Sequence, residues 1–296
     1  MSVPNKLASD IVGLISPPRL SRRGFMSASA AATAGYTLAA GPVRAEAITT
    51  DTAGLAAGDA KVKVADGDMP VYFAKPANST NPPVILIAME IFGLHQYIKD
   101  VARRLAKLGA FAVAPDYYFR KGDLTKISDM KELMPLVNAK PDAELLSDLD
   151  ASVAWASAQG GDTRRLGIIG FCRGGRTVWV YCANSPKVSA GVAFYGSLVD
   201  PSGQKAIWPK SPTELATDMK APVLGLYGQA DQGIPVAQVE AMRAALAAAG
   251  KPAEFKIYPE APHGFHADYR GSYRKEAAED AWGQMTAWFK THKVLS

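Results

Sequence analysis

The feature that most constrains this chain is a short turn joining a buried strand to a helix. Leu166-Gly167-Ile168-Ile169-Gly170 is apolar and strand-like. It runs straight into Phe171-Cys172-Arg173-Gly174-Gly175, and helical spacing follows from about Arg173 to Ala183. A strand with no polar face is covered by other layers on both sides. A strand-to-helix turn this tight admits only small residues beside its tip, and Gly170 and Gly174 meet that need. The tip residue, Cys172, is lifted above the sheet at a helix N-terminus, where a thiolate and a developing oxyanion are both favoured. Taken alone, the same pattern also fits a structural cysteine in a glycine-rich turn.

The remaining chain repeats the theme. Pro83–Met89 is a continuous apolar run, as expected of a strand buried on both faces. Phe111–Ala114, Ala190–Tyr195, Pro222–Tyr227 and Glu254–Tyr258 are further short strands. Helical spacing marks Ile98–Leu108, Asp142–Gln159, Pro235–Ala249 and Tyr273–Thr291. Lys61–Val64 and Val71–Lys75 alternate around Asp66-Gly67-Asp68, a hairpin signal. Residues 120–141 are polar and irregular, with room for one short helix, and 48–60 read as a flexible lead-in. Alternating strands and helices define an α/β domain with a mostly parallel sheet of about eight strands, flanked by helices, over residues 61–296. In such sheets ligands bind beyond the carboxyl ends of the strands. The loops after Met89, Gly170, Tyr227 and Tyr258 are therefore the places to look for chemistry.

Composition removes several classes. With 48% hydrophobic and 21% charged residues among 296, the chain has the apolar mass for a core and is not disordered as a whole. No apolar run reaches a bilayer-spanning length. Two cysteines exclude a disulfide scaffold or a Cys-rich zinc module, and no metal-ligand cluster or phosphate-cradling loop is visible. Basic residues number 33 against 28 acidic. Residues 1–47 hold five of the basic and two of the acidic ones, which leaves 28 against 26 in the body. That near-neutral body offers no footprint for nucleic acid.

The N-terminal excess has its own logic. Ser21-Arg22-Arg23-Gly24-Phe25-Met26 is followed by an uncharged stretch, Ser27 to Ala40, and then by Gly41-Pro42-Val43-Arg44-Ala45-Glu46-Ala47. This is the order of a secretory signal, with cleavage after Ala45 or Ala47. The arginine pair reads as a twin-arginine address for the export machinery, not as a stable membrane anchor. The expected location is the periplasm, and the expected state is a monomer.

Three residues fall at strand ends in a telling order. Cys172 is followed by Asp231, just past the strand ending at Tyr227, and then by His263 in Ala261-Pro262-His263-Gly264-Phe265. Nucleophile, acid and histidine in that order is the pattern of α/β-hydrolases. His263 would take and return the proton, and Asp231 would orient the imidazole. The bland alternatives are a turn-capping Asp and a loop His. Glu90, directly after a buried strand, is costly without a partner and is placed to hydrogen-bond the Cys172 thiol. The backbone N–H groups of Ile91 and Arg173 are the expected oxyanion hole.

These residues resemble the dienelactone hydrolases, or carboxymethylenebutenolidases. The matching pieces are Glu90-Ile91-Phe92-Gly93, Pro115-Asp116-Tyr117-Tyr118-Phe119-Arg120, Gly170-Phe171-Cys172-Arg173-Gly174-Gly175, Gly228-Gln229-Ala230-Asp231 and Pro262-His263-Gly264-Phe265. The resemblance implies an α/β-hydrolase fold without a large cap domain, a Cys172–His263–Asp231 triad and no metal or organic cofactor. It implies that Glu90 changes partners when substrate binds, and that the reaction opens a small lactone or ester through a thioester. Arg120 matches one of two family arginines that hold a substrate carboxylate. The other falls at Ala267, with Arg270 nearby, and Met89 stands where the family has Gln. Phe92 and Phe265 complete the expected substrate contacts. The rival readings are a general small-ester carboxylesterase or acyl-transfer enzyme, and a non-catalytic periplasmic binding protein on the same fold. Cys182 lies about 15 Å along the same helix from Cys172, too far for a disulfide, and reads as a core residue. His266 reads as an exposed loop residue.

Overall fold

The computed structural model describes residues 47–296. Within them one eight-stranded sheet has the order β1-β2-β4-β3-β5-β6-β7-β8. A hairpin forms its outer edge, with β1 (Leu55–Val64) antiparallel to β2 (Gly67–Pro76). β2 pairs antiparallel with β4 (Phe111–Pro115). From β4 the sheet is parallel through β3 (Pro83–Ala88), β5 (Asp162–Phe171), β6 (Val188–Phe194), β7 (Val223–Gly228) and β8 (Ala253–Tyr258). Every residue of β3 and β4 is buried, which is why both read as unbroken apolar runs.

The described residues hold six helices: α1 (Gln96–Lys107), α2 (Met130–Asn138), α3 (Asp142–Ala158), α4 (Arg173–Asn184), α5 (Val236–Ala248) and α6 (Lys275–Thr291). α1 packs on β2 and β4, α4 on β5 and β6, and α6 on β6 and β7. Gly167 in β5 leaves room for Phe289 and Val294 to lie flat on the sheet. The chain turns from β3 to β4 on one side and to β5 on the other, so the strand order reverses at β3. Ligand sites in open α/β sheets form at that point.

The α/β-hydrolase architecture expected from the sequence is present. One local expectation needs correction. β1 begins at Leu55, inside the segment expected to be a loose lead-in, because ten residue pairs zip it against β2 from Leu55–Pro76 to Val64–Gly67. Upstream, Arg103 Nε donates to Thr50 O at 2.7 Å and the Thr50 N–H bonds Asp100. The polar stretch after β4 holds the one short helix expected there, α2, capped by the Asp129 side chain, and also two short 3₁₀ turns, the second of which is started by Asp123. The expected export signal lies, apart from Ala47, outside the described residues. No helix among the described residues is long and apolar enough to cross a membrane.

Candidate active site

Cys172 occupies the turn from β5 to α4 with φ 58° and ψ −116°. That left-handed backbone is strained for any residue but glycine, and such strain concentrates at functional sites. The surroundings hold it in place. The Cys172 N–H donates to Phe194 O at 3.0 Å, and Gly175 N–H donates to Cys172 O at 3.0 Å. A Cβ at Gly170 would strike the Gly174 backbone, and one at Gly174 would strike Ala88 O. The glycines are thus a packing requirement of the turn itself.

Asp231 and His263 meet from the loops after β7 and β8. His263 Nδ1 lies 2.7 Å from Asp231 Oδ2. Asp231 Oδ1 accepts from the N–H groups of Gly233 at 2.8 Å and Ile234 at 3.1 Å. One Asp231 oxygen thus caps its own turn, and the other faces the imidazole. His263 is buried, and burial disfavours its charged form. The Asp231 carboxylate, then the adjacent Cys172, overcome burial and push the imidazole up to about 10. The structure therefore brings Cys172, His263 and Asp231 together. Arg173 opens α4, so its N–H has no acceptor within the helix, and Ile91 follows β3 beside it.

Glu90 is fully buried, and its carboxylate is engaged by Tyr269, His95 and Arg270. Tyr269 donates its hydroxyl to Glu90 Oε2 at 2.7 Å, and His95 Nε2 lies 3.2 Å from the same oxygen. Arg270 Nη2 faces Glu90 Oε1 at 3.6 Å. Burial alone would raise this carboxyl. Arg270, followed by His95 and Tyr269, instead holds it at about 2, so it is ionised. Arg270 also stacks over the Phe92 ring at 4.4 Å, which brings both of these expected substrate residues beside Glu90. A cleft of about 570 Å³ adjoins them, lined in part by Phe92, His95, Tyr97, Thr125, Tyr269 and Arg270.

Two expected substrate contacts are placed elsewhere. Arg120 is bound by Asp66 at 2.7 Å and by Asp148 at 2.8 and 2.9 Å, so its cation is already matched by carboxylates. Phe265 is fully buried against Tyr258 and Tyr195 and is a packing residue. His266, expected on the surface, is buried, with Nδ1 2.6 Å from the Tyr97 hydroxyl. Burial, then the nearby Arg104, pushes it down to about 3, so it is neutral. Sequence reading also passed over His95, Tyr269 and Tyr195. Tyr195 carried a usable signal, since it follows β6 at the same carboxyl edge as the other site residues. Among the described residues no group of three or more His, Cys, Asp or Glu side chains is placed to hold a metal ion.

A strained residue at a strand–helix turn, beside an Asp–His pair drawn from later strand ends, defines an α/β-hydrolase site. The dienelactone hydrolase family matches residues 69–293. The chain belongs to that family, a carboxymethylenebutenolidase-like class of carboxylic ester hydrolases. A provisionally assigned carboxymethylenebutenolidase of Methylorubrum extorquens is 51% identical over 97% of this chain and 98% of its own length. One from Escherichia coli K12 is 45% identical over 87% of this chain and 95% of its own. The crystal structure of a provisionally assigned dienelactone hydrolase from Klebsiella pneumoniae superposes with a TM-score of 0.78 at 47% identity, covering 80% of this chain and 98% of that one.

Proposed function

We propose that the protein hydrolyses small lactones or esters through Cys172, His263 and Asp231, by way of a thioester. The observation that carries the reading is the strained Cys172 backbone beside the His263–Asp231 pair. The thiolate sulfur attacks the carbonyl carbon, and the N–H groups of Ile91 and Arg173 receive the oxyanion. The carbon–oxygen bond breaks as His263 gives its proton to the departing oxygen. Water then passes a proton to His263 and attacks the thioester, and the collapse releases the acid and restores the thiolate. Asp231 stabilises the imidazolium throughout.

Glu90 is the reserve in this scheme. At rest it neutralises Arg270. A substrate carboxylate taking its place beside Arg270 would free Glu90 to turn toward Cys172. Arg270, rather than Arg120 or a residue at position 267, is the cation that serves a charged substrate. The same matching of Arg120 by carboxylates favours a second reading, in which uncharged small esters are turned over faster than dienelactone. The export reading rests on the twin-arginine pattern of residues 22 and 23, and with it a periplasmic, monomeric enzyme.

The test is hydrolysis of dienelactone and of neutral aryl esters by residues 48–296, beside Cys172→Ala. Rapid turnover of dienelactone, lost in the variant, is the expected result. Turnover of neutral esters alone would support the second reading. Equal rates in wild type and variant would overturn the nucleophile.

A further inference from the structure

Tyr195 combines two unfavourable features with no structural return in the resting enzyme. It is fully buried, and its hydroxyl has no partner at close hydrogen-bond range, the Tyr97 hydroxyl being a polar group that it faces from farther off. Its backbone sits at φ 38°, in the left-handed region that disfavours a bulky residue. Buried hydroxyls are nearly always paired, and backbone strain persists only where the surroundings impose it. Here they do. Tyr195 N–H donates to Leu226 O at 2.8 Å, and the preceding carbonyl, Phe194 O, accepts from the Cys172 N–H. Gly196, next along the chain, lies against the backbone of Gly175 in α4. Tyr195 is therefore locked to the same turn that carries the nucleophile.

Its side chain enters the site. The ring packs edge-on against the His263 imidazole, with centroids 5.1 Å apart. The hydroxyl is in the field of Tyr97, Glu90, Arg270 and Cys172. Burial first, then Tyr97 and Glu90, hold that hydroxyl protonated well above the ordinary tyrosine range, so it is a donor at any working pH.

We propose that the Tyr195 hydroxyl is a catalytic hydrogen-bond donor to the departing oxygen of the substrate. The inference rests on the cysteine mechanism above. In that mechanism the breaking bond spans from the carbon attacked by Cys172 to the oxygen protonated by His263. With the Tyr195 ring packed on that imidazole and its hydroxyl in the field of Cys172, the hydroxyl is set to meet the departing oxygen. It shares its hydrogen with the oxygen while negative charge builds there, and the transferred proton still comes from His263. Tyr195 remains neutral, and substrate supplies the partner that the resting enzyme lacks.

The test is Tyr195→Phe, which keeps the ring and removes only the hydroxyl. kcat/KM is measured on acetate esters that differ only in the leaving group, from p-nitrophenyl through phenyl to an alkyl ester. Stabilisation of a departing oxygen matters most where that oxygen leaves poorly. The expected loss is about threefold or less for p-nitrophenyl acetate and about thirtyfold or more for the poorer leaving groups. The melting temperature should hold or rise, because an unpaired buried hydroxyl has been removed. An equal loss across the series, no loss at all, or a clearly lowered melting temperature would overturn the proposal. A wild type that hydrolyses none of the esters, or a Cys172→Ala enzyme as active as wild type, would instead overturn the cysteine mechanism.

Discussion

Glu90 offers the most direct quantitative check on the site's electrostatics. Its carboxyl is held at about 2 in the folded protein, against an ordinary 4.5. A group depressed on folding contributes stability that is complete above its unfolded value and is lost as the pH falls through the folded one. A tenfold change in proton affinity is worth about 1.4 kcal/mol, so the full contribution is about 3 kcal/mol. Of this, about 1 kcal/mol should disappear between pH 7 and pH 3.5. Glu90→Gln removes the titrating group and leaves the Arg270 cation buried without the carboxylate that faces it. Breaking a buried pair in this way costs about 3–5 kcal/mol at pH 7. Urea unfolding followed by tryptophan fluorescence, at both pH values and on both proteins, separates the two effects. The stability gap between wild type and variant should narrow by about 1 kcal/mol at the lower pH. A gap that stays constant would refute an ionised Glu90 stabilised by Arg270, His95 and Tyr269.

Three further outcomes follow from the site geometry. Asp231→Asn keeps an acceptor for Gly233 and Ile234 but removes the carboxylate that favours a charged His263, so at pH 7 it should melt below wild type while kcat falls by about 10²- to 10⁴-fold; Asp231→Ala should lose about 1–2 kcal/mol more in thermal melts, because the two N–H groups lose their acceptor as well. Iodoacetamide followed by intact-protein mass spectrometry should add one label, at Cys172, because burial pushes the Cys182 thiol far up, whereas Cys172, buried as well, adjoins the His263 imidazole. His263 is raised from 6.5 to about 10, so its stabilisation is complete below pH 6.5 and fades as the pH rises toward 10; urea midpoints at pH 7 and 9.5 should fall more for wild type than for His263→Gln.

What was legible in the sequence was whatever burial writes into consecutive residues. Pro83–Ala88 and the end of β5 are enclosed on both faces, so polar residues are absent and the strands stand out. Leu55–Ala60 is Ala, Gly and Asp around one Leu, and these form strand poorly alone. Its structure comes from pairing with β2, which a local reading does not see. The same division runs through the site. Cys172, Asp231 and His263 each follow a readable strand, in a readable order. The partners of Glu90 follow no such rule, since Tyr269 is 179 positions away. Arg120 shows the reverse error, because its place in a motif gave no sign that Asp66 in the hairpin turn and Asp148 on α3 would claim its charge.

The strand order explains why one loop has to assemble most of this. Glu90, Cys172, Tyr195, Asp231 and His263 follow β3, β5, β6, β7 and β8, which are successive neighbours across the sheet. Strands stand about 4.8 Å apart, so β8 is about 14 Å from β5 and about 19 Å from β3. His263 reaches Cys172 only if the chain after β8 folds back over the strand ends. Residues 259–274 do this between β8 and α6. The loop is pinned at its start, where Ala230 N–H donates to Ala261 O and Gly228 lies against the Ala261 backbone. It closes on itself farther along, with Arg274 N–H donating to Phe265 O at 2.9 Å. Because Ala261, Phe265 and Ala267 are buried beneath it, the crossing is a packed layer, unlike an exposed surface loop. The crossing delivers His263 to Cys172 over β5, then carries Tyr269 and Arg270 on to Glu90 beyond β3. His263 and the cation that faces Glu90 thus ride on one packed segment, and their spacing is set by the width of the sheet beneath it.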